Sequence, residues 1–276
     1  ALTRIIHRFL EAKVVLQENR LQSCSTGYFM FANITHYRAL RRKFPLKTQW
    51  LVEQFVLIAE SLANKHNVCI VKFVEDHLML IASQHAVSIL RFAVELQSDL
   101  HTFDWIARCP NLNHFYERQE DQAIASGNHG PAATKKSSHS KMFNGLRVRM
   151  GISCGPFHEG RDAAGKVDYL GDSVNVSSRV SASSAGGQIL CSGRVLQSIP
   201  PVMIAQFAGG VDNLGHFQLS GLRIPVEIYQ IAARDILQRQ FVTLGEQNDA
   251  KVVVMDTNDE NADYFHEESL VSAVFE

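Results

Sequence analysis

Residues 167–179 read Val-Asp-Tyr-Leu-Gly-Asp-Ser-Val-Asn-Val-Ser-Ser-Arg, and this stretch carries more chemistry than any other. Asp168 precedes a tight turn at Gly171. Asp172 or Ser173 can cap the helix expected next. Asn175 and Arg179 stand at i and i+4 and project from one helical face. That face offers a neutral hydrogen-bonding amide and a fixed cation. The pair suits a polyphosphate ester whose negative charge grows during reaction.

Elements must position these groups. Tyr28–Ile34 reads as a buried strand, and Lys47–His66 has helical periodicity through Leu51, Phe55, Ile58, Ala59 and Leu62. Val68–Val74 and His77–Ala82 read as strands around a turn at Glu75-Asp76. Ala86–Leu100 is a second long helix. Leu146–Ser153, Gly187–Leu190, His216–Leu219 and Val226–Ile231 are further strands, and Asp172–Ser184 is the helix of the opening motif. Strands alternating with long helices predict an α/β sandwich, a mixed sheet with helices on one side. Arg147 and Arg149 alternate along one strand and face the same side. From there either one could reach a triphosphate or lie as a surface pair.

Residues 1–25 are expected to form a linker helix, 26–240 the main domain and 241–276 an acidic tail. Residues 104–143 are polar and read as an insert, helical near 113–125 and loose beyond.

Composition is ordinary for a globular chain: 276 residues, 46% hydrophobic, net charge −1. No basic surplus points to nucleic acid. No apolar stretch reaches the length of a membrane span. The chain begins at Ala1 and reads as a fragment or processed chain. Any membrane or flagellar association would come through segments outside it. Its five cysteines are scattered, without a C-x-x-C pair, and reduced thiols on the cytoplasmic side are the simplest reading.

Five segments fall in a familiar order: Phe31-Ala-Asn-Ile-Thr35, Val71-Lys-Phe-Val-Glu-Asp-His-Leu-Met79, Leu146-Arg-Val-Arg-Met-Gly-Ile-Ser-Cys-Gly155, the opening motif with Gly186–Ser192, and Leu219–Ile231. Together they resemble the catalytic domain of class III adenylate/guanylate cyclases across about residues 26–232. The insert before the Arg-rich strand is similar to that of trypanosomatid receptor-type adenylate cyclases. The resemblance implies a class III cyclase (ferredoxin-like) α/β sandwich with an inserted subdomain. It also implies ATP as substrate, a second cyclase domain as partner, and a two-metal site for Mg²⁺ or Mn²⁺ at the interface.

By the same resemblance, Lys72 and Asp168 fall on the adenine-selecting pair, and Asn175 and Arg179 on the groups that orient ribose and stabilise charge at phosphorus. The two metal aspartates fall on Asn33 and Asp76. Asp76 retains the carboxylate, whereas Asn33 keeps an oxygen ligand without the charge. Glu75 stands where the family usually has glycine, either as a replacement carboxylate or as a plain turn substitution. The expected function is conversion of ATP to cyclic AMP, with this chain as the base-selecting half of a heterodimer. The alternative is an inactive pseudo-cyclase that acts as a regulatory, scaffolding or ATP-sensing module.

Overall fold

The computed structural model describes residue 21 and residues 26–74, 78–125, 142–162, 164–241 and 250–252. The expected linker helix, the pair Glu75 and Asp76, the loose part of the insert and most of the tail lie outside the described residues.

The first half runs β1 (Gly27–Ile34), α1 (Tyr37–Lys43), α2 (Pro45–His66), β2 (Cys69–Val74), β3 (Leu78–Ser83), α3 (Ala86–Thr102) and α4 (Leu112–Ala125). The second runs β4 (Val148–Gly155), β5 (His158–Arg161), β6 (Val167–Leu170), α5 (Asp172–Ser183), β7 (Ile189–Ser192), α6 (Gly193–Gln197), α7 (Pro201–Ile204), β8 (Gly210–Leu219), β9 (Val226–Ala232) and β10 (Ala250–Val252). The main sheet has the order β10-β8-β9-β7-β4-β1-β3-β2, and β5 with β6 forms a separate hairpin. The β4–β7 pairing is parallel and the others are antiparallel, so the sheet is mixed.

Side chains alternate across a strand, and β1 shows what each face does. Met30, Ala32 and Ile34 join Leu51, Phe55 and Ala59 of α2 and Ile89, Leu90 and Ala93 of α3 in one core. Phe29 and Phe31 point the other way and pack with Leu80, Tyr169 and Val174 of α5. Helices therefore cover both faces, not one as the periodicity suggested. The reason is Gly151, opposite Phe31 in the register. A Cβ there would collide with the backbone of Ser181 in α5. Glycine lets this helix lie backbone against backbone on β4, an approach that apolar periodicity does not encode.

The described part of the insert is not a loose appendage. Trp105, Cys109, Leu112, Phe115 and Tyr116 are buried in the same core as α2 and α3. The Trp105 indole donates to the Leu100 carbonyl at 2.7 Å. The Asn113 side chain accepts from the Gly145 amide at 2.7 Å, sealing the two ends of the insert together.

Arg147 explains this sealing and departs from both sequence readings. It is 2% exposed, neither on the surface nor directed at a ligand. Its guanidinium lies over Phe143 at 4.6 Å and Tyr116 at 5.2 Å. Nε is 3.5 Å from Glu120 Oε1 of α4, an ion pair that lacks hydrogen-bond geometry. Burial pulls the Arg147 pKa below its ordinary value and the Glu120 charge opposes that. A guanidinium stays protonated in proteins, so the aromatic faces, Glu120 and the Gly145 carbonyl, to which Nη1 donates at 3.4 Å, are what offset its desolvation.

Candidate active site

Sheet register puts two of the candidates on one face. Asn33 is two residues from Phe31 on β1 and shares its face. Phe31 pairs with Leu80, and Leu80 pairs with Lys72 across β3 and β2. Asn33 and Lys72 thus lie on the face that carries α5. Among the described residues, Lys72 Nζ meets Asp168 Oδ2 at 2.6 Å. The two side chains are 34% and 13% exposed.

The β5–β6 hairpin brings Asp168 there. Strand alternation turns Tyr169 inward, where its ring packs on Phe29 at 5.8 Å and Phe157 at 5.4 Å. Asp168 faces the opposite way, toward β2. Its other oxygen, Oδ1, accepts from the Tyr169 amide at 2.9 Å. One carboxylate is therefore fixed by its own backbone and by a cation from a distant strand. The sequence reading missed this hairpin. The usable signal was the Asp162-Ala-Ala-Gly-Lys166 turn, where the Asp162 side chain accepts from the amides of Ala164 and Lys166.

Helix α5 starts without a side-chain cap. Neither Asp172 nor Ser173 serves, contrary to expectation: Ser173 Oγ donates to the Pro156 carbonyl at 2.8 Å. The residue before the helix is Gly171, at φ 146° and ψ 170°. Only glycine occupies that region readily. A Cβ at Gly171 would also sit 2.9 Å from the Pro156 carbonyl oxygen. This turn aims α5. Its buried side, Val174, Ser177, Val180 and Ser181, faces the sheet, and Asn175 and Arg179 are exposed. The Arg179 guanidinium rests against the β8–β9 turn, 3.4 Å from the place of a Cβ on Gly221.

Asn33 is half-buried near the end of β1 and pairs with Leu78 on one side and Arg149 on the other. Arg149 Nη1 donates to the Ala182 carbonyl at 2.9 Å, at the C-terminal end of α5. The described residues here offer a divalent ion one neutral amide oxygen beside a strand neighbour that is cationic. Among them no group of three His, Cys, Asp or Glu side chains gathers to hold a metal. Hard cations favour carboxylate oxygens, so this part of the chain does not fit a pair of Mg²⁺ or Mn²⁺ ions by itself.

The fold has counterparts in known proteins. The family model described as the adenylate and guanylate cyclase catalytic domain matches residues 19–233, and the chain belongs to that family. It is 30% identical over 192 residues to a receptor-type adenylate cyclase of Trypanosoma congolense, an alignment covering 68% of this chain and 25% of that protein. It is 31% identical over 180 residues to one of Trypanosoma equiperdum, covering 64% and 37%. The chain thus spans about a quarter to about a third of these relatives. Adenylate cyclases of Trypanosoma brucei solved in their monomeric state superpose with a TM-score of 0.71 at 26% identity, over 80% of this chain and 95% of that one. No helix among the described residues is long and apolar enough to cross a membrane.

Proposed function

We propose that this domain converts ATP to cyclic AMP and pyrophosphate as the base-selecting half of a heterodimer. The observation that carries the reading is the Lys72–Asp168 pair, a donor and an acceptor held at 2.6 Å on the sheet face that also carries α5. Adenine presents an acceptor at N1 and a donor at N6, which Lys72 and Asp168 complement. Guanine presents the reverse, leaving both groups facing like partners. The names of the relatives, receptor-type adenylate cyclases, support the same substrate.

In this account the ribose 3′-oxygen forms a bond to the α-phosphorus, its proton departs to solvent or a base, and the bond to the pyrophosphate oxygen breaks. Asn175 hydrogen-bonds the ribose and holds the attacking oxygen in line. Arg179 supplies a fixed cation where negative charge builds at phosphorus. Both are exposed, as groups must be that complete their site only against a second domain. Divalent ions in such a site would activate the 3′-oxygen and neutralise the leaving oxygens. We assign their carboxylates to the partner, with Asp76 and Glu75 of this chain as the remaining local candidates.

The rival is a pseudo-cyclase that keeps the fold for regulation or ATP sensing, and the neutral Asn33 beside Arg149 favours it. Restoring the charge separates the two. Asn33→Asp should raise cyclic AMP formation by the chain alone about tenfold or more, since even indirect partners of a metal site are worth roughly 10–100-fold. The gain should be larger with Mn²⁺ than with Mg²⁺. No gain from an intact dimer favours the pseudo-cyclase.

A further inference from the structure

A second set of charged residues has no part in the proposed reaction. No Asp or Glu occurs from Thr26 to Val52, yet Arg38, Arg41, Arg42, Lys43 and Lys47 fall inside that span, and all five are exposed. Arg38, Arg41 and Arg42 stand at i, i+3 and i+4 of α1 and share a face. The insert continues this surface. Phe44 packs edge-on to Phe115 at 5.9 Å, with the Lys43 ammonium over both rings. The exposed Arg108 guanidinium lies over Trp50 at 5.4 Å. Lys47 is close enough to Cys109 to oppose the rise that burial causes in its thiol pKa.

Two large apolar side chains stand out among these cations: Leu46, 88% exposed, and Ile106, 47% exposed. The nearby acids are few. Asp104 is engaged by the Ala107 amide at 3.1 Å, and Glu117 faces His114 at 3.6 Å. Helix α1 has seven residues with Arg41, Arg42 and Lys43 in its last turn, and the dipole of so short a helix does not call for the further cations Arg38, Lys47 and Arg108.

We propose that this face docks the domain on an anionic phospholipid surface. Six cations complement a layer of phosphate and carboxylate headgroups. Leu46 and Ile106, both exposed, next to Lys47 and two residues from Arg108 in the chain, match the apolar layer just beneath. A protein partner of matching acidity would leave an 88% exposed leucine without a stated pocket, whereas a bilayer needs none. The chain's overall charge of −1 makes such attraction a property of this face. The inference is independent of the proposed reaction.

The test is co-sedimentation of the complete chain with phosphatidylcholine vesicles, with and without about one third phosphatidylserine. Binding should require the anionic lipid and should vanish as salt approaches about 0.5 M, where the screening length falls to a few ångströms. Arg41→Gln with Arg42→Gln should weaken binding about thirtyfold, and Leu46→Asp should weaken it as well. The salt and lipid arms use the unaltered protein and so stand even if a variant misfolds. Equal binding to neutral vesicles, no binding to either, or unchanged binding by the double variant overturns the proposal. So does binding of a polyuridine RNA without binding of vesicles, which would assign the face to nucleic acid.

Discussion

Lys72 and Asp168 are 96 positions apart in sequence, yet their charged atoms meet at 2.6 Å. The contact ties the edge strand β2 to the β5–β6 hairpin. In the proposed reaction each partner holds the other in the pose that adenine needs. The nucleotide then enters between a donor and an acceptor that are already ordered.

Replacing either member should reduce discrimination of ATP from GTP. A two-point base contact is worth about 1–3 kcal/mol, so Lys72→Ala or Asp168→Ala should narrow the ratio of binding constants about tenfold or more. The two changes should not add, because each leaves the other group without its partner. Titration of both nucleotides against the single and double variants measures this. Additive losses, or an unchanged ratio, would contradict the pairing.

Glu120→Gln should destabilise the domain by about 3 kcal/mol, because it leaves the buried Arg147 guanidinium without its counter-ion. Chemical denaturation reads the effect. A change under about 0.5 kcal/mol would mean that the Phe143 and Tyr116 faces suffice for that charge.

Much of the fold was legible because it depends on period. Strands at Tyr28–Ile34 and Val226–Ile231 and helices at Lys47–His66 and Ala86–Leu100 recur in β1, β9, α2 and α3 nearly as read. What escaped depends on a single backbone position or on contacts distant in sequence. Gly151 decides that α5 crosses the opposite face from α2 and α3. Arg147 read as either a ligand-directed charge or half of a surface pair, and only the folded insert supplies Glu120, Tyr116 and Phe143 around it. The candidate site was legible in its residue types and through resemblance. The contact of Arg179 with the Gly221 turn was not, since nothing local links residues 179 and 221.

That contact is itself testable. Gly221 has φ +78°, where a side chain costs about 1–3 kcal/mol, and the Arg179 guanidinium occupies the adjacent space. Gly221→Ala should lower stability by that amount and lower turnover in the assembled dimer, with ATP affinity nearly unchanged. Equal losses in affinity and turnover would place the Arg179 contribution in ground-state binding.

Acid should weaken the fold in part through His36. Burial, then the Arg149 charge, holds its pKa below the ordinary 6.5. The unfolded chain therefore takes up the proton first. Stability from this group is complete above about pH 6.5 and declines as pH falls below it toward the lower folded value. His101 is shifted the same way, by burial and then Arg239, and adds to the decline. His36 has φ 54°, a conformation asparagine tolerates. His36→Asn should flatten the fall in denaturant midpoint below about pH 6.5. Parallel pH profiles for the two proteins would exclude His36 as a source.

The central claim is that this chain supplies base recognition and the transition-state groups while a partner supplies the metal carboxylates. Cyclic AMP formation with Mn²⁺, measured for this chain alone, for a metal-competent cyclase domain lacking its own arginine of this type, and for the mixture, tests it most directly. The account predicts little product from either alone, at least tenfold more from the mixture, and loss of that gain with Arg179→Ala or Lys72→Ala in this chain. Full turnover by the unmixed chain, or a mixture no more active than the sum of its parts, would contradict it.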